Sequence, residues 1–230
     1  MFFPLHDRNP LRVIPLQLVT AALIVVCIAV FVVQAGLEGD EAGLFNLRFG
    51  LTPAVLLDSV SIDARLQPLT SELTLISGLF LHGGWMHLIG NMAYLWVFGD
   101  NVEDSMGHLR FLVFYLLCGI LASTAHVVAN PDSVSPLIGA SGAVAGVMGA
   151  YVMLHPKVKV LVLAFNRIPV FLPAYALLAG WLALQFYSAY TAPEEAVAWW
   201  AHIGGFVAGA LLIIGFKRAD VPLFDAGTEH

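Results

Sequence analysis

Charge is what this chain has least of. Only 11% of its 230 residues are Asp, Glu, Lys or Arg, 59% are hydrophobic, and the mean hydropathy is +0.84. A soluble domain could not solvate such a surface, so the sequence reads as a polytopic helical membrane protein. Basic patches are absent as well. The acids are scattered, the net charge of -6 says little about partners, and no nucleic acid is expected. Cysteine is scarce: Cys27 and Cys118 lie inside apolar runs and supply neither a disulfide framework nor a redox assignment. Strict alternation is missing, and the apolar runs are long, which argues against a β-barrel. No internal repeat or low-complexity segment is present. The first apolar run lacks a clear cleavage site and is long enough to span, so it reads as a retained helix. The length suits one bundle without a separate soluble domain.

What the chain does have is six apolar spans, at about residues 13–34, 84–98, 109–129, 141–154, 168–190 and 197–216. The expected fold is therefore an all-α, six-transmembrane-helix bundle. Arg8, Arg12, Arg110, Lys157, Lys159, Arg167, Lys217 and Arg218 fall on one side of it, and only Arg48 and Arg65 on the other. The positive-inside rule then puts both termini in the cytoplasm. Residues 219–230 read as a short disordered tail. Residues 36–81 are too long and too apolar for a mere connection and are expected in the outer interface. The fourth span has 14 residues, about 20 Å of helix against a hydrocarbon core of about 30 Å. It must be central, with its outer end sunk below the surface.

Several polar residues interrupt this apolar frame. Ser141 opens the fourth span within Gly139-Ala140-Ser141-Gly142. His202 lies a few residues into the sixth. His82, His87 and Asn91 lie at the start of the second. Ionisable and polar groups in hydrocarbon are costly and mark functional sites. The topology puts His87 and His202 at depths in the outer leaflet comparable to that of Ser141. A neutral imidazole can take the proton of a serine hydroxyl, and donors aimed at a developing oxyanion complete a hydrolase. Asn91 and His87 are four residues apart and share a helical face. Taken singly, Ser141 reads first as an N-cap, and a lone buried histidine as a structural group. Gly142, Gly146, Gly149, Gly205 and Gly209 read as packing positions. His126 has no evident partner. A metal site ranks below serine chemistry, because His82 and His87 are five apart and no carboxylate intervenes. No metal or cofactor is expected.

The motifs His82-Gly83-Gly84-Trp85-Met86-His87-Leu88-Ile89-Gly90-Asn91, Glu103 with Gly107, Gly139-Ala140-Ser141-Gly142, and Ala201-His202 with Gly205 and Gly209 occur together. In these the chain resembles the rhomboid intramembrane serine proteases, most closely the compact six-span bacterial type. The resemblance implies Ser141 as nucleophile, His202 as general base, and His87 with Asn91 at the oxyanion hole. His82, Gly139, Gly142, Glu103 and Gly205 would have supporting or structural roles. It implies cleavage of transmembrane-helix substrates near the outer face of a membrane, here a bacterial cytoplasmic membrane. Two departures stand out. Some members have a tyrosine four residues after the nucleophile, where this chain has Ala145, so another group must orient His202. Many have a Trp-Arg pair in the first loop, whereas Arg48 and Arg65 lack an adjacent Trp.

The expected function is an intramembrane serine endopeptidase. The alternative is a proteolytically inactive relative that binds membrane helices for quality control; such proteins typically lack the serine or the histidine. A channel or transporter would have polar residues threading both leaflets, and here they concentrate in one. Substrates are expected to approach past the fifth span and the first loop, with Pro169 and Pro173 loosening that span.

Overall fold

The computed structural model describes residues 2–63, 66, 68–164, 167–192 and 197–225. Helices dominate: α1 (Leu18–Ala35), α2 (Asp40–Phe49), α3 (Pro53–Leu56), α4 (Thr74–Ser77), α5 (Trp85–Met106), α6 (His108–Ala129), α7 (Ser141–Leu154), α8 (Ala174–Thr191) and α9 (Trp199–Phe216). A 3-10 turn, Gly78–Phe80, follows α4. Among the described residues, α1, α6 and α9 are long and apolar enough to cross a membrane, and α7 is a shorter apolar helix. The protein is an integral membrane protein.

Helix α7 is the centre of the bundle. Every residue from Gly142 to Tyr151 is buried, and α5, α6 and α9 surround it. Its contact with α9 is a backbone-to-backbone seam. A β-carbon at Gly205 would lie 2.0 Å from the Gly142 carbonyl oxygen, and one at Gly209 1.8 Å from that of Gly146. No side chain fits there, so glycine alone permits this approach. The seam fixes the start of α7 beside the start of α9.

The bundle is not all-α. Three antiparallel strands, β1 (Phe2–Asp7), β2 (Lys159–Ala164) and β3 (Ile168–Pro173), form a sheet in the order β1-β2-β3. The register pairs Val162 with Val170 and Pro4 with Val162 on the other edge. Residues 159–164 alternate, with Val160, Val162 and Ala164 buried, and Pro169 and Pro173 bar a helix from starting earlier. The expected fifth span therefore loses its first six residues to β3, and α8 begins at Ala174. Pro169 and Pro173 are strand residues, so they do not loosen a helix.

Other boundaries shift for identifiable reasons. The first helix starts at Leu18, five residues later than expected, because Asp104 accepts the N–H groups of Arg12, Val13 and Ile14 at 2.9, 2.8 and 2.7 Å. Glu103, fully buried, then accepts from Val19 N, Thr20 N and Thr20 Oγ1 at 3.0, 2.8 and 2.7 Å and so closes the α1 N-terminus. The second helix runs on to Met106, eight residues past the expected end, and this extension carries Glu103 and Asp104 to the start of α1. Residues 219–225 are not a loose tail. Phe224 N donates to the Met153 carbonyl and Asp225 N to that of Leu154, both at 2.8 Å, and Arg12 pairs with Asp225 at 3.1 Å. Residues 226–230 lie outside the described residues, as does Arg65.

The first loop is packed onto the bundle. Leu51 and Leu137 exchange backbone hydrogen bonds of 3.1 and 2.7 Å, and Ser77 Oγ donates to the Phe49 carbonyl at 2.6 Å. Leu51, Ala54, Val55, Leu79 and Leu81 are buried. These contacts anchor the loop without a Trp-Arg pair.

Candidate active site

Ser141 is the first residue of α7, and Ala140 occupies the N-cap position with no side-chain cap. The serine hydroxyl is thus not spent on capping. Its Oγ lies 2.8 Å from His202 Nε2, across the α7–α9 seam. The opposite ring nitrogen, His202 Nδ1, lies 2.7 Å from Gln185 Oε1 on α8. The His202 ring is walled by Trp181, with centroids 5.8 Å apart and planes inclined at 40°, and by Trp199 at 6.2 Å and 83°. Ala145, fully buried in α7, carries only a methyl group, so the groups that orient His202 are these residues of α8 and α9.

His87 borders the same space. Its Nδ1 accepts the Gly83 N–H at 3.2 Å. An accepting Nδ1 leaves the proton on Nε2, which makes that atom a donor. The donor faces Gly139: a β-carbon there would sit 2.7 Å from His87 Nε2 and Cε1 and 3.7 Å from Ser141 Oγ. Gly139 also has φ +122°, a conformation strained for any other residue. Asn91 is buried one turn along from His87, and its Nδ2 has no hydrogen-bond partner among the described residues. An orphaned buried NH₂ group is costly, and such groups recur where a site awaits a charge. A cavity of about 10 Å³, room for roughly one water, adjoins Ser141 and Gly142 and is lined by Thr74, Ala122, Ser123 and Gly139 among others.

The structure does not gather every residue singled out in the sequence. His82 is only 2% exposed and lies behind His87. Its ring stands edge-on to His87, with centroids 5.2 Å apart, and its backbone N–H donates to Gln34 Oε1 at 3.0 Å. Glu103 lies twelve residues beyond Asn91 on α5, about 18 Å along the helix, and serves α1. Gly142 meets Ala122, where a β-carbon would approach to 2.6 Å, and Gly205 meets Gly142. His126 has a neighbour in Asn130 at 3.5 Å. Among the described residues no three His, Cys, Asp or Glu side chains cluster to hold a metal ion. Gln185 was missed. Its signal was a lone carboxamide in Leu182-Ala183-Leu184-Gln185-Phe186.

Fold and site together define an integral membrane protein with a part-buried serine–histidine contact beside the N-terminus of a short central helix. The Rhomboid domain model matches residues 70–219, and the chain belongs to the rhomboid family. It is 33% identical over 151 residues to Rhomboid protein 1, mitochondrial, of Saccharomyces cerevisiae, an alignment covering 62% of this chain and 41% of that one. RHOMBOID-like protein 5 of Arabidopsis thaliana is 28% identical over 167 residues, 73% of this chain and 51% of its own. Rhomboid-like protease 5 of Toxoplasma gondii is 42% identical over 79 residues, 33% of this chain and 9% of its own. The chain thus spans about half or less of the length of these relatives.

Proposed function

We propose that the protein is an intramembrane serine endopeptidase. Ser141 would attack the scissile carbonyl while His202 Nε2 takes its proton, and the imidazolium would return that proton to the leaving amine. Water would then release the acyl group from Ser141. The oxyanion would be met by His87 Nε2–H, by the Asn91 amide and by the backbone N–H of Ser141, with the positive end of α7 behind it. The observation that carries this reading is the 2.8 Å contact between Ser141 Oγ and His202 Nε2.

The rest of the arrangement follows from charge and length. Six spans, α1, α5, α6, α7, α8 and α9, would hold both termini, the sheet and the segment after α9 on the cytoplasmic side of a bacterial membrane. The distribution of Lys and Arg supports this orientation. Ser141 would lie below the outer surface, and the substrates would be transmembrane segments cut near that face. The alternative is an inactive helix-binding relative. A serine-reactive fluorophosphonate separates the two: the proposal expects labelling at Ser141 in the detergent-solubilised protein and none in His202→Ala. An unlabelled wild type would favour the binding protein.

A further inference from the structure

Gln185 is only 4% exposed in an otherwise apolar turn of α8. A carboxamide in such a place is costly unless both of its ends are bonded. Both are. Nε2 donates to the Trp181 carbonyl at 3.3 Å, and Oε1 faces His202 Nδ1 at 2.7 Å. Each contact fixes the next. A backbone carbonyl only accepts, so the NH₂ end must face Trp181 and the oxygen must face His202. An amide oxygen also only accepts, so His202 Nδ1 must carry the ring proton. Nε2 is then bare, and the Ser141 hydroxyl is the donor in the 2.8 Å contact.

We propose that Gln185 is the positioning residue of this site, holding His202 in the one neutral tautomer that can deprotonate Ser141. The role rests on the proposed hydrolase reading and supplies the orienting contact that a methyl group at Ala145 does not. Trp181 and Trp199 restrain the plane of the ring, but neither determines which nitrogen holds the proton. A neutral amide also stabilises the developing imidazolium only as a dipole, where a carboxylate would do so as a charge. Since Gln185 belongs to α8 and His202 to α9, the base is set only while these two helices stay packed.

The test uses the full chain, a transmembrane model substrate for turnover and a fluorophosphonate for Ser141. Gln185→Met keeps the volume and removes the acceptor. Its kcat should fall at least about tenfold, toward the limit of about 10⁴ set by a wrong tautomer in a serine protease, with KM little changed. Phosphonate labelling should slow in parallel. Gln185→Glu restores an acceptor and adds charge. It should recover much of the rate and move the acid limb of kcat/KM to higher pH, because a carboxylate favours the imidazolium. A merely structural role would lower the thermal stability of both variants and leave the acid limb in place. Wild-type kcat in Gln185→Met overturns the role. If that variant does not fold, an unmoved acid limb in Gln185→Glu overturns it instead. Failure of wild-type Ser141 to label would remove the hydrolase reading and the role together. Normal labelling with unaffected Gln185 variants would remove the role alone.

Discussion

Because Ser141 begins α7 and Ala140 takes the cap position, the serine hydroxyl is free to point at His202 while the helix end stays open behind it. A capping serine would have its oxygen turned onto an N–H of its own helix and could not also be a nucleophile. Ser141→Ala and His202→Ala should therefore each abolish cleavage of a transmembrane substrate while leaving a folded protein, as read by turnover and thermal unfolding in detergent. Turnover near wild type in purified Ser141→Ala would sink the assignment. The proposed oxyanion donors, Asn91 and His87, would divide a load between them. Asn91→Ala should lower kcat by an amount equivalent to about 2.7–4 kcal/mol if its amide is a principal donor, and by less if His87 shares the charge. Unchanged kcat in Asn91→Ala, His87→Ala and the double variant would refute the role. Gly139 is under a different constraint: a β-carbon would enter the His87 ring space at 2.7 Å.

At the scale of elements, the α7–α9 seam sets Ser141 beside His202, and its glycines contrast with one on the outer helix α8. Gly209→Ala drives a β-carbon to 1.8 Å from the Gly146 carbonyl, whereas Gly180→Ala on α8 meets nothing within 4 Å. The first should destabilise by at least about 1–3 kcal/mol and cut activity by separating Ser141 from His202. The second should be neutral or stabilising by up to about 1 kcal/mol. Equal melting temperatures for the two would show that the seam is not tight. The bounds of α7 were legible in the sequence because an apolar run between Gly139-Ala140 and His155-Pro156 has sharp ends. The strands were not. Residues 168–173 are apolar and adjoin an apolar helix, so hydropathy joins them to it, and only their pairing with residues 159–164 separates them. The long reach of Glu103 and Asp104 to the start of α1 was equally invisible, since those contacts span 83 to 92 residues. Gln185 is a lone carboxamide in an apolar run, and nothing in that run says which neighbouring helix it faces, so its pairing with His202 is visible only in the fold.

At the scale of the whole molecule, the two ends of α7 face different chemistry. Beyond the far end from Ser141, Tyr151 donates to Asp7 of the sheet, and Asp7 is only 4% exposed. Burial, chiefly, pushes the Asp7 carboxyl up from 3.8 to about 6, against the smaller opposing pull of the Tyr151 hydrogen bond. A raised folded pKa means that the folded state binds the proton more tightly, so this group favours folding below about pH 4 and loses that contribution as pH rises to about 6. Asp7→Asn cannot titrate. The melting temperature of Asp7→Asn minus that of the wild type should therefore climb between pH 4 and pH 6 and then level off. A flat difference across that range would show that Asp7 titrates normally. The Ser141 end tests the orientation. A helix of 14 residues is about 20 Å long and cannot reach both faces of a hydrocarbon core of about 30 Å. If Lys157 and Lys159 hold its far end at the cytoplasmic face, the serine sits below the outer surface, and hydrolysis there requires water from outside. Ser141→Cys in a Cys27→Ala/Cys118→Ala background should then react with a small membrane-impermeant thiol reagent supplied outside sealed vesicles of right-side-out orientation. The same reagent confined to the cytoplasmic side should leave it unmodified. Labelling from the cytoplasmic side would invert the orientation and move the site to the inner leaflet. Protection from both sides would mean that the space beside Ser141 is closed to solutes larger than the single water its cavity accommodates.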